Sequence, residues 1–406
     1  MTSVETVPRM HTKHVTLALI ALALGGFAIG TTEFVTMGLL PEIANGIGQN
    51  IPTTGHIISA YALGVVVGAP VIVSIGAHLP KRELAIGLVL AIGLGNAVTA
   101  LASGYWPVMI ARFVAGLPHG AYFGVASLIA ASLVAQEFRG RAVSSVMLGL
   151  SVATVVGVPA ATLLGQHLGW RSAYWMVLGI TILTAVSMWL FVPHSAGNHE
   201  ASVRKELSAL KRPQVLFAVA TGMIGFGGIF AMYSYIAPTV THVTQLPSTF
   251  IWVFLFVFGL GSVIGTGLAG HLADWDVQKA VLGGFIAMAV VLILFVVAAP
   301  YVVPALVMVF LVGAVGSVIA ICLQIRLMHA AGDAQMLGAA LNHSALNIAN
   351  GLGALLGSIV IDAGYGYRAP SVVGVGLALG GLAIFGMSIW HRRRTPSNMD
   401  RELLLV

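Results

Sequence analysis

Residues 15–40, VTLALIALALGGFAIGTTEFVTMGLL, form an apolar run that contains a single charged side chain, Glu33. About 20 apolar residues in a helix are enough to cross the hydrocarbon core of a bilayer. The run is too long for the core of a signal peptide, and no small-residue cleavage site follows a short core. We therefore interpret residues 15–40 as a retained membrane-spanning helix.

Apolar runs of this kind continue along the whole chain. Apolar residues make up 58% of the 406 residues and charged residues 8%, against about 25% charged residues in soluble domains. The prediction is an all-α membrane protein, because a barrel would show short alternating segments instead. The twelve predicted spans are 15–40, 54–76, 84–103, 107–133, 142–166, 172–193, 214–238, 247–271, 280–299, 303–327, 335–361 and 369–391.

A polar segment divides these spans into two sets of six. It reads HSAGNHEASVRKELSALKRP and includes Arg204, Lys205, Lys211 and Arg212. We interpret it as a linker between two helical bundles. The predicted organisation is an N-terminus at 1–14, a six-helix bundle at 15–193, the linker at 194–213, a second six-helix bundle at 214–391 and a C-terminus at 392–406.

The two halves share features at offsets of 193 to 197 residues. A parallel repeat of two six-helix halves builds one large transporter fold, whose binding site lies between the halves near the midplane. The corresponding residues are Pro41 with Pro238, Gly68, His78 and Leu79 with Gly261, His271 and Leu272, Gly157 with Gly353, and Trp170-Arg171 with Tyr367-Arg368.

The distribution of lysine and arginine predicts the orientation. With the N-terminus in the cytoplasm, sixteen of the nineteen basic residues fall on the cytoplasmic side, the exceptions being Arg112, Arg171 and Arg368. Cytoplasmic loops of membrane proteins carry such an excess. We expect a multi-pass protein of the cell membrane with both termini in the cytoplasm. Topology then accounts for the net charge of +6, so we expect no nucleic-acid partner, and a monomer is the default.

The sequence gives little support for an enzyme. Cys322 is the only cysteine, so a thiolate metal site is excluded and a packing role is expected. The chain has no G-x-x-x-x-G-K-[ST] loop for ATP and no H-E-x-x-H metal motif. We predict no cofactor and no metal. A receptor that binds a ligand without moving it is a further alternative, which a flux assay separates from a transporter.

Three ionisable side chains within the predicted spans are candidates for proton coupling. Glu33 lies about 12 Å from the end of its span and Arg112 about 8 Å from the same side, by helical rise. Charged groups inside a membrane are costly and usually functional. Glu33 is interpreted either as a proton site or as a structural hydrogen-bonding residue, Arg112 as a partner of Glu33 or a ligand of backbone carbonyls, and His119 as a relay or a packed histidine.

Two stripes at helical spacing are candidates for a substrate cavity. Aromatic side chains in a cavity suit apolar or aromatic solutes, and a polar stripe on an apolar helix is expected to face a cavity. Simple packing of the aromatic residues and interhelical hydrogen bonding of the polar ones remain open. The stripes are Phe226, Phe230 and Tyr233, and His343, Asn347 and Asn350.

Several short motifs, taken in order, resemble one transporter family. The chain resembles the twelve-span drug:proton antiporters of the major facilitator superfamily, and within them the arabinose-efflux-like and chloramphenicol-resistance permeases. The resemblance covers essentially the whole chain. The motifs are Thr31-Thr32-Glu33-Phe34, Gly38-Leu39-Leu40-Pro41, Ala62-Leu63-Gly64, Gly68-Ala69-Pro70, Arg112-Phe113, Gly116-Leu117-Pro118-His119-Gly120, Gly149, Gly157, Pro159, Gly165 and Trp170-Arg171.

The resemblance implies two pseudo-symmetric six-helix bundles and proton-coupled efflux of a small organic solute or drug by alternating access. It links Arg112 to proton transfer, and it links the Gly149, Gly157, Pro159 and Gly165 motif to exporters; the motif also reads as a pliant packing seam. The gating signature G-x-L-A-D is present as Gly270 to Asp274, whereas in the first half Lys81 stands where the acid would be. A sugar or nucleoside exporter, or an uncoupled facilitator, of the same fold is the alternative.

Overall fold

The computed structural model describes residues 12–76, 79–135, 138–194, 212–332 and 335–394, and within these ranges it consists of helices joined by short turns, without a strand. The prediction of an all-α membrane fold is confirmed. The helices are α1 (Thr12–Gly38), α2 (Leu40–Ile47), α3 (Ile51–Gly76), α4 (Lys81–Leu101), α5 (Tyr105–Ser132), α6 (Arg139–Val152), α7 (Val158–Leu168), α8 (Arg171–Phe191), α9 (Pro213–Gly225), α10 (Gly227–Tyr233), α11 (Ile236–His242), α12 (Ile251–Ala298), α13 (Val302–Ala331), α14 (Gln335–Val360) and α15 (Ala369–Arg394).

Eleven helical segments of the described ranges are long and apolar enough to cross a membrane. They correspond to the twelve predicted spans because the 48-residue α12 covers the eighth and the ninth. Its backbone leaves the helical conformation at Asp276. There Oδ1 of Asp276 accepts hydrogen bonds from the backbone N–H groups of Gln278 at 2.9 Å and Lys279 at 3.0 Å, which is the arrangement of a helix N-cap.

Some predicted segments lie outside the described residues. These are residues 1–11, most of the predicted linker at 195–211, His78, and residues 395–406. The first half is residues 12–194 and the second half is residues 212–394. The linker end is the end of the bundle where α1 begins, and the loop-1 end is the opposite end, where residues 39–50 lie.

Glycines bring α3 and α5 into backbone contact in the first half. A Cβ atom added at Gly64 would lie 2.1 Å from the carbonyl oxygen of Phe113, and one added at Gly116 would lie 2.2 Å from that of Tyr61. Such approaches exclude every side chain larger than hydrogen. Small residues are what allows helices to pack this closely in a membrane, where lipid gives no hydrophobic drive for helix association.

The same contact recurs between α12 and α13, 197 residues later. A Cβ at Gly261 would lie 2.1 Å from the carbonyl oxygen of Phe310, and one at Gly313 would lie 2.2 Å from a carbonyl oxygen of α12. Gly64 therefore corresponds to Gly261, and the sequence pairing of Gly68 with Gly261 was wrong by four residues. The error equals about one helical turn, because glycines one turn apart occupy one helix face.

We expect Gly116→Ala to lower the thermal unfolding midpoint, because overpacking at a close contact costs about 1–3 kcal/mol. The matched control is Gly87→Ala in α4, where an added Cβ has no heavy atom within 4 Å and the midpoint should hold or rise, since alanine favours helix. Unfolding is followed with a thiol-reactive dye that reports exposure of the buried Cys322. Equal midpoints for the two variants would contradict the contact.

Candidate functional site

Glu33 lies on α1, five residues before the helix ends at Gly38. Its side chain is buried, with 6% exposed, and its Oε1 accepts a hydrogen bond of 3.3 Å from Nδ2 of Asn350. Asn350 belongs to α14 in the second half. Among the described residues no cation lies within 4.0 Å of the Glu33 carboxylate. Glu33 therefore lies at the contact between the halves, bound by an amide and not by a positive charge.

Arg112 on α5 is fully buried and reaches α1 through Thr32. Its Nη1 donates to Oγ1 of Thr32 at 3.0 Å, and its Nη2 donates to the carbonyl oxygen of Thr32 at 3.1 Å. Thr32 in turn donates its hydroxyl to Oδ1 of Asn96. The guanidinium also stands over the ring of Tyr61, 4.2 Å from its centroid, a favourable cation–π position. Arg112 thus holds α1 at the residue that precedes Glu33, without pairing with Glu33.

His119 continues a row of contacts that begins at Arg112. Its Nδ1 is hydrogen-bonded to the hydroxyl of Tyr61 at 3.0 Å. The His119 ring lies 5.5 Å from that of Phe123, and the Phe123 ring stacks on that of His343 with centroids 5.3 Å apart and an interplanar angle of 5°. Since His343 is on α14, the row crosses from the first half to the second, on the linker side of Arg112.

Aromatic side chains from both halves meet beside Glu33. Phe34 stacks on Phe230 with centroids 6.4 Å apart and contacts the ring of Tyr233 edge-on at 6.1 Å. Phe226 packs against Phe230 at 5.6 Å, and Tyr233 stacks on Phe258 at 4.0 Å. The predicted stripe of Phe226, Phe230 and Tyr233 is therefore brought together, and Phe34 extends it to the neighbour of Glu33.

The polar stripe on α14 has unused hydrogen-bonding capacity. Asn350 donates to Glu33, but its Oδ1 is buried without a partner. Asn347 donates to the backbone oxygen of His343 at 3.0 Å, and its Oδ1 is likewise buried and unpaired. The hydroxyl of Tyr233 is also buried without a hydrogen-bond partner. Buried polar atoms normally have partners, so these three atoms are available to a bound solute or to water.

The predicted gating motif packs along α1. Added Cβ atoms would lie 1.9 Å from the carbonyl oxygen of Ala23 at Gly149, 2.2 Å from Oγ1 of Thr31 at Gly157, and within 2.4 Å of Leu39 at Gly165. A π-helical turn at residues 153–157 precedes Pro159, which has no N–H to donate. The glycines of this motif thus pack closely against α1 and Leu39. Asp274, the other predicted gating residue, is exposed on α12.

Side-chain hydrogen bonds between the halves, in the part of the chain that is described, lie toward the loop-1 end. We call this set of contacts the seam. Its members come from α1, α3 and α7 in the first half, and from α14 and the turn before α12 in the second. They are Asn350 to Glu33 at 3.3 Å, Ser59 to the carbonyl oxygen of Gly351 at 2.9 Å, His56 with Ser358 at 3.3 Å, and Gln166 to the carbonyl oxygen of Ser248 at 2.8 Å.

Comparison with known proteins identifies the fold and the family. The family model described as Major Facilitator Superfamily matches residues 22–340. The chain belongs to the Major Facilitator Superfamily. The crystal structure of a bacterial homologue of the human lysosomal transporter Spinster, in an inward-facing and unoccupied conformation, superposes with a TM-score of 0.73 and 14% identity, covering 95% of this chain and 100% of that chain. The fold prediction and the family resemblance are confirmed.

Two curated relatives narrow the comparison within the superfamily. The inner membrane transport protein YdhP of Escherichia coli K12 is 39% identical over 364 residues, which cover 89% of this chain and 94% of YdhP. The chloramphenicol resistance protein of Streptomyces lividans is 37% identical over 263 residues, 64% of this chain and 67% of that protein. This superfamily member is accordingly a membrane transporter of small molecules and not an enzyme.

Sequence reasoning missed part of the site of this superfamily transporter. Phe34, Tyr61 and Phe123 connect the predicted residues, yet each lies in a span where most residues are apolar or aromatic. Phe34 directly follows Glu33 in a quoted motif, which was a usable signal. Tyr61 and Phe123 gave no such signal, because the helix face on which each side chain lies is determined by tertiary packing.

We expect Arg112→Lys to destabilise the protein by about 1–3 kcal/mol, because one ammonium nitrogen on a shorter head group cannot reproduce the fork in which two guanidinium nitrogens reach the two oxygens of Thr32. The matched control is Arg368→Lys at an exposed arginine near the loop-1 end, which should leave the thermal midpoint close to wild type. The dye assay on Cys322 measures both variants. A wild-type midpoint for Arg112→Lys would rule out the forked contact as a stabilising one.

Proposed function

We propose that this protein exports a small organic solute from the cytoplasm in exchange for protons, by alternating access. The observation that supports this most is the place of Glu33, a buried carboxylate inside a span and at the contact between the halves. The two bundles, residues 15–193 and 214–391, would rock about the seam. The export direction is also supported by the relation to a protein named for chloramphenicol resistance.

The proposed coupling follows from the electrostatics of a membrane interior. An isolated carboxylate in hydrocarbon is costly, and none of the described cations lies within 4.0 Å of the Glu33 carboxylate. It therefore favours either a proton or a substrate group that neutralises it. The proton and the substrate then compete for Glu33, so that binding of one releases the other. In the proposal Arg112 fixes α1 beside Glu33, and His119 serves as a proton relay through Tyr61.

The proposed cavity combines an aromatic wall with a few polar atoms. Phe226, Phe230 and Tyr233 supply apolar area, as drug-sized solutes require. His343, Asn347 and Asn350 lie on the facing helix α14, and the unpaired amide oxygens of the two asparagines accept hydrogen bonds. This composition suits a ring-bearing organic solute with a small number of polar groups.

The remaining parts of the proposal concern topology and movement. The loop-1 end is assigned to the outside of the cell membrane and both termini to the cytoplasm, on the lysine and arginine distribution. Gly149, Gly157, Pro159 and Gly165 would let α1 shift against α6 and α7, and Asp274 would act at the linker end. The working state is a monomer.

An exporter of sugars or nucleosides, or an uncoupled facilitator, is the second candidate. The free Oδ1 atoms of Asn347 and Asn350 favour it, because hydroxyl groups of such solutes donate to amide oxygens. An uncoupled carrier would not need Glu33, so loss of that carboxylate would leave its transport intact.

We expect purified wild-type protein to release protons when a transported compound binds, and Glu33→Gln to bind compounds without this release. The reason is that the amide side chain has no titratable proton to release. A panel of cationic, neutral and sugar-like compounds is titrated while proton release is recorded in weakly buffered solution.

The matched control for this experiment is Glu83→Gln, an exposed carboxylate at the linker end that pairs with His194. It should keep the wild-type release. Binding without proton release in wild type and Glu33→Gln alike would exclude Glu33 as the coupling site and favour the facilitator.

We expect Phe230→Ala to weaken compound binding about tenfold, since aromatic contacts contribute about 0.5–1.5 kcal/mol beyond area burial. Phe256→Ala is the matched control, because this α12 side chain is 38% exposed and does not belong to the core cluster that contains Phe230 and Tyr233. Equilibrium binding of one panel compound is compared in the two variants. An equal effect of both substitutions would place the compound away from the aromatic wall.

A further inference from the structure

A second carboxylate lies at the loop-1 end, beyond the last residue of α1. Glu42 is on α2 and is half-buried. Its Oε1 accepts a long hydrogen bond of 3.4 Å from Nε2 of Gln166, and the same Nε2 donates to the carbonyl oxygen of Ser248 at 2.8 Å. Gln166 is on α7 in the first half, and Ser248 opens the turn that leads into α12. The Gln166 amide therefore joins the carboxylate to the opposite half.

Two oxygen atoms of this arrangement lack partners. Both Oε2 of Glu42 and Oε1 of Gln166 are buried without a hydrogen bond. Each is an acceptor when the carboxylate is ionised, so neither can satisfy the other. A neutral carboxyl group differs, because its O–H is a donor. An amide and a carboxyl group can then bond twice, with N–H to one carboxyl oxygen and O–H to the amide oxygen.

We propose that Glu42 is a proton-binding site of the closed seam, in which one proton joins its Oε2 to Oε1 of Gln166. The proton completes a cyclic carboxyl–amide pair, and it leaves the second N–H of Gln166 directed at Ser248. Loss of the proton returns two buried acceptors to the unpaired state, which is unfavourable. The deprotonated seam is therefore the weaker one.

The sign of the pH dependence follows from burial. Desolvation raises the pKa of Glu42 above the ordinary carboxyl range in the closed state, and exposure on opening returns it toward that range. A group with the higher pKa in one state stabilises that state at low pH and loses this effect as the pH rises through the raised value. The loop-1 end is closed at low pH and opens as Glu42 ionises.

In the described part of the chain, no ion pair holds the Glu42 carboxylate in its ionised form. Within the described ranges none of the neighbouring titratable or charged groups forms an ion pair with it at 4.0 Å or less. His56 is engaged by two hydroxyl groups, and His167 is exposed. The groups on the elements packed around Glu42 are Glu33 of α1, His56 of α3, His167 of α7, Arg171 of α8 and His242 of α11.

The test measures a distance across the loop-1 end. Spin labels are placed on Gln49→Cys in the first half and Tyr301→Cys in the second, both exposed, in a Cys322→Ala background. In lipid nanodiscs without substrate, the short-distance population should dominate at about pH 5 and decline toward pH 9. The ratio of the short-distance to the long-distance population should fall by up to about tenfold for each pH unit between the two pKa values. Glu42→Gln should stay closed throughout, because a neutral amide also donates to Gln166.

Three comparisons decide the outcome. Gln166→Leu should open the loop-1 end at every pH, and Asp362→Asn, an exposed carboxylate near the same end, should keep the wild-type pH curve. An infrared carboxyl band of the closed state should disappear in Glu42→Gln. A wild-type pH curve in Glu42→Gln, or a closed Gln166→Leu, would overturn the proposal. The labels are also measured in a Glu33→Gln background, so the result stands whether or not Glu33 couples transport.

Discussion

A polar group inside hydrocarbon must find its partner within the protein, since lipid supplies none. Around Arg112 two guanidinium nitrogens donate to Thr32, and Thr32 donates to Asn96, while Nε of Arg112 is buried without a hydrogen bond. This network lies entirely in the first half. It fixes α1 next to Glu33, so the one buried carboxylate of that span is presented to the second half in a defined orientation.

The seam and the interior of each half share one kind of contact and differ in another. Inside the halves, α3 meets α5 and α12 meets α13 through glycines in contact with backbone oxygens. One such contact also joins the halves, because a Cβ added at Gly259 of α12 would lie 2.5 Å from the carbonyl oxygen of Thr154. The seam adds single hydrogen bonds such as that of Ser59, each worth about 1 kcal/mol net, and water entering between the halves can replace these bonds. Opening the seam therefore breaks replaceable hydrogen bonds, while the glycine contacts within each half can stay intact.

The sequence specified the spans well because hydrophobic length and charge are local signals. Glu33 and Arg112 were found for the same reason, since a charge in an apolar run is conspicuous. The joining of two spans in α12 was missed, because an N-cap at Asp276 replaces the expected loop. The sequence also could not predict which apolar side chains face the protein interior and which face lipid. Phe230 is buried in the aromatic wall and Phe256 is exposed, yet both lie in spans where nearly every position is apolar. Hydrophobic periodicity therefore does not distinguish lipid-facing from core-facing residues.

Both carboxylates near the seam are bound by an amide side chain, and this shared chemistry suits groups that change protonation. Glu33 is held by Asn350 and Glu42 by Gln166, and in each pair the amide oxygen is buried and unpaired. An arginine or lysine partner would bind the ionised form alone and resist protonation. An amide donates through its nitrogen to a carboxylate and accepts through its oxygen from a carboxyl group. Each pair therefore has a bonded arrangement for both forms, and the free oxygen marks where the proton would be received.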